Sequence, residues 1–398
     1  MMLRQFNRAV FVCVWTFVLF FGVSAQAQIT NFSQDVASSI DLGLEFAAQQ
    51  GWFTNGCPTA GGNGDATGLI AVALLEKRSD ANQNAVSQGY LNANAVDQGR
   101  MDEAINHIIT RVANSDPATF RAYQNGADLM ALSLYWRTGG PDQAGAISAI
   151  HSLFDRIAQN QGNHGYWCYS DGSCQDSSTT QLVMAGLAAA RGVFLDDNDA
   201  VRVASLNQLT LNTRNAYVAN GQQEVTPLNA EERGHGYRVG MGNNLQQSSS
   251  AIWSQLAGGG TVNDASVQGY LHWIRHRYQY NSFTGHAGFT NSMYYYMWAF
   301  EKAMSYIELS QIVVSAGNIG PADMGTLPAA NAPAVASRDI HLDPAASPRA
   351  ANFGPEPAGY YTDPDEPARW YFDLARTLLD HQDAAGHFSP PNNGVWNI

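Results

Sequence analysis

The chain has 398 residues, 45% of them hydrophobic, and a formal net charge of −13 from 34 acidic and 21 basic side chains. That length suffices for one large domain or two ordinary ones, and the hydrophobic content suffices for a packed core. A chain this acidic, with no basic stripe, excludes binding to a phosphate backbone, so nucleic acid is not an expected partner.

Arg4 and Arg8 precede an apolar run from Ala9 to Val23, and Ser24-Ala25-Gln26-Ala27 follows with small residues where signal peptidase reads them. This is the layout of a cleavable secretory signal over residues 1–27, with Gln28 as the new terminus. The run is short for a span of about 20 residues, and no later stretch is long and apolar enough to cross a bilayer. Loss of the two arginines takes the net charge from −13 to −15. The expected location is periplasmic or extracellular, which permits disulfides. Cys13 leaves with the signal. Cys168 and Cys174 flank Tyr-Ser-Asp-Gly-Ser, a turn-forming segment able to close a small disulfide loop. A zinc pair competes, but no third and fourth ligands stand at a recognised spacing. Cys57 is left over, buried or free.

Apolar residues at spacings of three and four predict helices in series. The first covers 34–50, with Val36, Ile40 and Leu44 on one face. A glycine-rich loop follows (Asn55-Gly56-Cys57-Pro58, then Gly61-Gly62-Asn63-Gly64), and Asp65 or Thr67 is placed to cap a helix over 68–78. Further helices are predicted at 98–113, 125–138, 142–160, 176–194, 199–219, 245–256, 263–279, 289–310 and 367–382. Almost nothing alternates as a strand does. Asp196-Asp197-Asn198-Asp199 reads as a turn that caps the helix from Ala200. Prolines crowd residues 311–366 too densely for a helix. The expected organisation is a signal at 1–27, helical pairs one to five at 28–310, a Pro/Gly/Ala-rich insertion at 311–366 and a C-terminal hairpin at 367–398.

The helices group in pairs that resemble one another. One pair turns at Gln161-Gly-Asn-His-Gly165-Tyr-Trp167, and Asp176-Ser-Ser-Thr-Thr-Gln181 opens its second helix. Another turns at Gln382-Asp-Ala-Ala-Gly386-His-Phe388, and the first has Gln50-Gly51-Trp52 followed by Gly64-Asp65-Ala66-Thr67-Gly68. The period is roughly 50 to 60 residues. Glycine permits the sharp turn, and the glutamine can donate to a loop carbonyl while accepting from the next pair. A single hairpin cannot bury both of its apolar faces, so neighbouring pairs must stack.

Gln161-x3-Gly165-x-Trp167 and Gln382-x3-Gly386-x-Phe388 resemble the "QW" repeats of terpene cyclases. Gly165-x-Trp167 followed by the run from Asp176 to Gln181 is similar to the prenyltransferase and squalene-oxidase repeat. The resemblance covers most of residues 34–310 and 367–398. It implies an all-α fold, an (α/α)6 toroid of stacked helical hairpins around a central cavity, here with the sixth pair incomplete because a twelfth helix is missing. The catalytic signatures of those relatives do not carry over. Nothing matches the Asp-x-Asp-Asp acid of squalene and hopene cyclases. The mature cysteines lack the Asp and His partners of a prenyltransferase zinc, and Gly56-Cys57-Pro58-Thr59 keeps only the first two residues of a complement-type thioester. No cofactor and no metal are therefore expected.

Glu231-Glu232-Arg233-Gly234-His235-Gly236-Tyr237-Arg238 is the most charge-dense short segment. Glu232 and His235, together with Asp176, are the candidates for acid–base work at a rim of the cavity, and Tyr237 for ligand contact. A loop held by Glu–Arg pairs is the competing reading. His272 and His276 stand four apart, a metal-ligand spacing, but lack the neighbouring Glu of a His-Glu-x-x-His site. Tyr294 and Trp298 belong to a dense aromatic stretch suited to lining a cavity, where rings stack on a sugar or stabilise a cation, or else to packing between helices. Asp65, Asp128 and Asp176 recur near the starts of second helices, where capping accounts for them. The expected function is an exported toroid that binds a hydrophobic small molecule, a glycan or a peptide in its cavity without cyclase or prenyltransferase chemistry. The alternatives are a divergent cyclase or glycan-acting enzyme, and an interaction module for an envelope protein.

Overall fold

The computed structural model describes residues 29–59, 64–82, 85–224, 231–278, 293–324 and 370–388. The expected signal segment and most of the proline-rich insertion lie outside them. Among the described residues, eleven α-helices follow one another: α1 (Asn31–Gln49), α2 (Thr67–Glu76), α3 (Ala95–Asn114), α4 (Ala122–Arg137), α5 (Gln143–Gln159), α6 (Ser177–Asp196), α7 (Ala200–Asn220), α8 (Leu245–Ala257), α9 (Ala265–Arg275), α10 (Met293–Ser310) and α11 (Trp370–His381). None is long and apolar enough to cross a membrane.

Side-chain caps fix most of the starts. Thr30 and Ser33 form a capping box on α1, and Asn94, Asp142, Asp176, Asp199 and Asn244 each accept first-turn amides of the helix that follows. Such a cap contributes about 1 kcal/mol and satisfies amides that have no partner within the helix. The Asp196–Asp199 turn thus caps α7 through Asp199.

Burial separates two kinds of helix. In α8, 12 of 13 residues are buried, and in α6, 14 of 20. In α7 only 6 of 21 are, on one stripe. The even-numbered helices form an inner row, α2 against α4, α4 against α6, α6 against α8 and α8 against α10, with α3, α5 and α7 side by side outside it. Inner helices approach so closely that side chains are excluded. A Cβ on Gly186 would lie 2.6 Å from the Gly126 carbonyl oxygen, and one on Gly126 would collide with the Leu182 carbonyl.

The Gln-x3-Gly turn is a clamp between successive outer helices. Gln161 Nε2 donates to the Leu209 carbonyl of α7 (2.9 Å) and to Thr213 Oγ1 (3.1 Å), while its Oε1 accepts from Asn212 (3.0 Å). Gly165, at φ +83°, lies so close to α7 that a Cβ would stand 2.6 Å from the Asn212 oxygen. Gln382 after α11 does the same to α1. Its Nε2 donates to the Ser39 carbonyl (2.8 Å), its Oε1 accepts from Ser39 Oγ (2.6 Å), and Gly386, at φ +91°, abuts the Leu42 carbonyl. Both clamps grip carbonyls three residues apart. The last described helix therefore contacts the first, and the rings of Phe32 and Phe372 lie 4.6 Å apart, tilted by 38°, at that contact. On the inner side, Lys302 of α10 bonds to Glu76 of α2 at 2.8 Å.

Three details depart from the sequence reading. Asp128 is no cap. It sits in the second turn of α4, fully buried, and both its oxygens accept from Arg111 of α3 at 2.7 Å. α9 ends at Arg275 because His276 is its C-cap. A short antiparallel pair, β1 (Gln222–Gln223) with β2 (Arg233–Gly234), stands where no strand was expected. Of the insertion, residues 312–324 lie along α9, where Gln268 brackets the Ile319 backbone with bonds of 2.8 and 2.9 Å.

Candidate functional site

The starts of α4, α6, α8 and α10 meet at one end of the inner row, and each brings a hydroxyl or an amide. Asp176, the cap of α6, accepts at Oδ1 from the amides of Ser178 and Thr179 (2.9 and 3.0 Å) and from Ser178 Oγ (2.6 Å). Ser178 Oγ also meets the Tyr123 hydroxyl of α4 at 2.5 Å. One turn further along α6, Gln181 Oε1 accepts from Ser250 Oγ of α8, which lies 3.0 Å from the Tyr295 hydroxyl of α10. A belt of polar side chains thus joins four successive inner helices.

Two loops close over the belt. The Cys168–Cys174 disulfide, with Cα atoms 5.0 Å apart, staples the first. That loop carries Tyr169, whose carbonyl accepts the Ala122 amide at the start of α4 (2.9 Å), whose ring packs edge-on to Tyr123 at 5.6 Å, and whose hydroxyl pairs with that of Tyr237. The second loop, ahead of α8, brings Tyr237 and Arg238. The Tyr237 carbonyl accepts the Ser177 amide at 3.1 Å, and Arg238 Nε stands 3.9 Å from Asp176 Oδ2. Tyr123, Tyr169, Tyr237 and Tyr295 are each partly buried around this mouth.

Burial holds the hydroxyls of Tyr123, Tyr237 and Tyr295 well above the ordinary tyrosine range, and the Asp176 carboxylate adds to the effect. They stay neutral, each able to donate one bond and accept others. Asp176 and Gln181 are fully buried and Gln247, one turn before Ser250, nearly so. Yet Asp176 Oδ2, Gln181 Nε2 and Gln247 Oε1 have no hydrogen-bond partner among the described residues. Buried polar atoms are ordinarily paired, and each left unpaired costs about 1–3 kcal/mol.

Of the residues singled out by sequence, Asp176 and Tyr237 meet at this mouth. His235 lies beneath it, fully buried. Its Nδ1–H donates to the Gly236 carbonyl (2.7 Å) and its Nε2 accepts from the Tyr166 hydroxyl (3.1 Å). Burial lowers its pKa to about 4, so the ring is neutral with both nitrogens engaged. Glu232 is elsewhere. It is buried against His276 Nδ1 and against Arg277 NH1 at 2.7 Å, in a cluster that Glu224 extends through Trp273 Nε1 (2.8 Å). Tyr294 is edge-on to Phe388 at 6.2 Å, its hydroxyl pushed up to about 12 by burial, and Trp298 packs on the core. The sequence reading missed Tyr123, Tyr169, Ser178 and Ser250, took Gln181 only as part of a helix-opening run, and took Tyr295 only as part of the aromatic stretch around Tyr294 and Trp298. One signal was available: serine, threonine and glutamine fill 177–181 and 246–250, opening helices that are otherwise apolar all round.

Several charged groups elsewhere are paired. Asp65 binds His107 (2.9 Å) and Arg111 (2.7 Å) between α2, α3 and α4. An open groove of about 600 Å³ beside α1 and α3 contains Lys77, which is held by Asp41 (2.6 Å) and Asp97 (2.9 Å), and Arg100, which is held by Glu45 (2.5 Å). Cys57 is a buried free thiol, pushed up to about 11 by desolvation. Among the described residues no group of three or more His, Cys, Asp or Glu is arranged to hold a metal ion. No protein-family model matches the chain, and neither a curated protein nor a solved structure matches it.

Proposed function

We propose that this chain is an exported helical toroid of the terpenoid-cyclase type that binds a polar small molecule at the mouth formed by α4, α6, α8 and α10, without cyclase or prenyltransferase chemistry. The carrying observation is the belt of tyrosine, serine and glutamine side chains that links the four inner helices at this end, beneath loops that bring Tyr169 and Tyr237. Hydroxyls and amides offer both donors and acceptors, which suits a polar ligand better than a hydrophobic one. Support for a closed ring comes from the two equivalent clamps, Gln161 on α7 and Gln382 on α1.

The test is native mass spectrometry on mature protein taken gently from the exporting cell, followed by denaturing analysis of what dissociates. A polar adduct that is lost from the Asp176→Asn variant is the expected result. A retained lipid, or an adduct that the variant keeps, would sink the reading.

A further inference from the structure

Gly68 of α2 abuts Ala127 of α4 near the starts of both helices, so α2 shares the sense of the other inner helices, and all five finish at the end opposite the mouth. Apolar side chains gather there in solvent. Among the described residues eight large ones are more than half exposed, and seven of them lie at this end. Val86, Leu91 and Val96 lead into and open α3, Leu195 and Val201 flank the α6–α7 turn, and Leu309 and Val313 stand where α10 gives out. Val201, Leu309 and Val313 are each at least 80% exposed. The loops at the mouth end bury theirs, with Phe53, Phe120, Tyr166 and Trp167 at most 3% exposed. Apolar groups scattered singly over a surface are ordinary, but their collection at one rim marks an interaction face.

Charge selects the partner. The connections at this end (77–94, 138–142, 197–199 and 258–264) hold five aspartates against Lys77 and Arg78. Lys77 is held by Asp41 and Asp97, and Arg78 lies over the Tyr371 ring at 5.3 Å. Arg137 and Arg202, beside the α6–α7 turn, pair with Asp196 (3.0 Å) and with Asp155 and Asp199 (3.2 and 2.8 Å). Asp80 and Asp197 are exposed and enter no ion pair among the described residues. We infer that this end docks a partner protein whose surface sets lysine or arginine among apolar side chains. A second copy would bring its own aspartates, and an anionic bilayer its own phosphates, against these carboxylates.

The experiment places the photocrosslinker p-benzoylphenylalanine at Val201 or at Val313 of the full chain in the exporting cell. Val218, exposed near the end of α7 and so at the mouth end, is the control position. Mass spectrometry identifies what is joined. Both rim positions join the same protein, through a peptide with lysine or arginine among apolar residues, and Val218 does not. That protein is then purified and titrated against the mature chain. Val201→Ser combined with Val313→Ser weakens binding by about tenfold or more, and the affinity falls as salt rises. Both side chains are exposed, so the double variant keeps its fold, which circular dichroism checks. Crosslinks to a second copy of this chain or to lipid overturn the inference, as do equal crosslinks from Val218 or none from either rim position. So does a joined peptide that is acidic, or a double variant that binds unchanged.

Discussion

The Gln382 clamp allows a direct measurement of how firmly the two ends of the helical row are joined. Gln382→Ala removes two donated bonds, to Ser39 O (2.8 Å) and Gly386 O (3.2 Å), and one accepted from Ser39 Oγ (2.6 Å). At about 1 kcal/mol net for each bond, less about 1 kcal/mol of side-chain entropy released on truncation, the expected loss is about 2 kcal/mol. Gln161→Ala removes a comparable set on α7, at 2.9, 3.1 and 3.0 Å, and should cost about the same. Urea unfolding followed by circular dichroism at the helix band, with linear extrapolation to water, gives both values. The equivalence of the joints is refuted if Gln161→Ala costs about 2 kcal/mol and Gln382→Ala costs under about 0.5 kcal/mol.

Glycine substitutions in two helices should act in opposite directions. Gly126→Ala drives a methyl into the Leu182 carbonyl and should destabilise by about 1–3 kcal/mol, whereas Gly99→Ala in α3, where a Cβ meets nothing within 4 Å, should stabilise by up to about 1 kcal/mol. Equal effects in thermal melts would contradict the packing described. Replacing Cys168 and Cys174 with serine opens a short loop and should cost about 2 kcal/mol by loop entropy. Unchanged urea midpoints would show the loop to be held by other contacts. His235, with its pKa lowered to about 4 by burial, contributes stability that is fully present above about pH 6.5 and is lost as pH falls toward about 4, because the unfolded chain takes up the proton first. An NMR titration of its ring should show a midpoint near 4, and a midpoint near 6.5 would mean that the ring is solvated.

Much of the fold was legible because its causes are local. Apolar spacing marked the helices, and Asp176, Asp199 and the Gln-Gly turns marked their ends. What escaped was tertiary. Asp128 looked like a cap because, like Asp65 and Asp176, it lies near the start of a second helix, but its partner Arg111 belongs to another helix. Two-residue strands have no period to read. Glu232 and His235 drew notice through charge density, yet His276 and Arg277, which hold Glu232, lie on the following hairpin. Asp176 and Tyr237 could be singled out by motif and loop position. Tyr123 and Tyr169 could not, since they join Tyr237 and Tyr295 only when separate pairs stack.

The contacts at that mouth also fix a direction. Tyr123, Ser178, Gln181, Ser250 and Tyr295 all lie in the opening turns of their helices, so α4, α6, α8 and α10 run side by side with the same sense. Their peptide dipoles add instead of cancelling, with about half a positive charge at the amide end of each of α4, α6 and α8. A protein acidic overall is thereby electropositive along its axis at that end of the inner row.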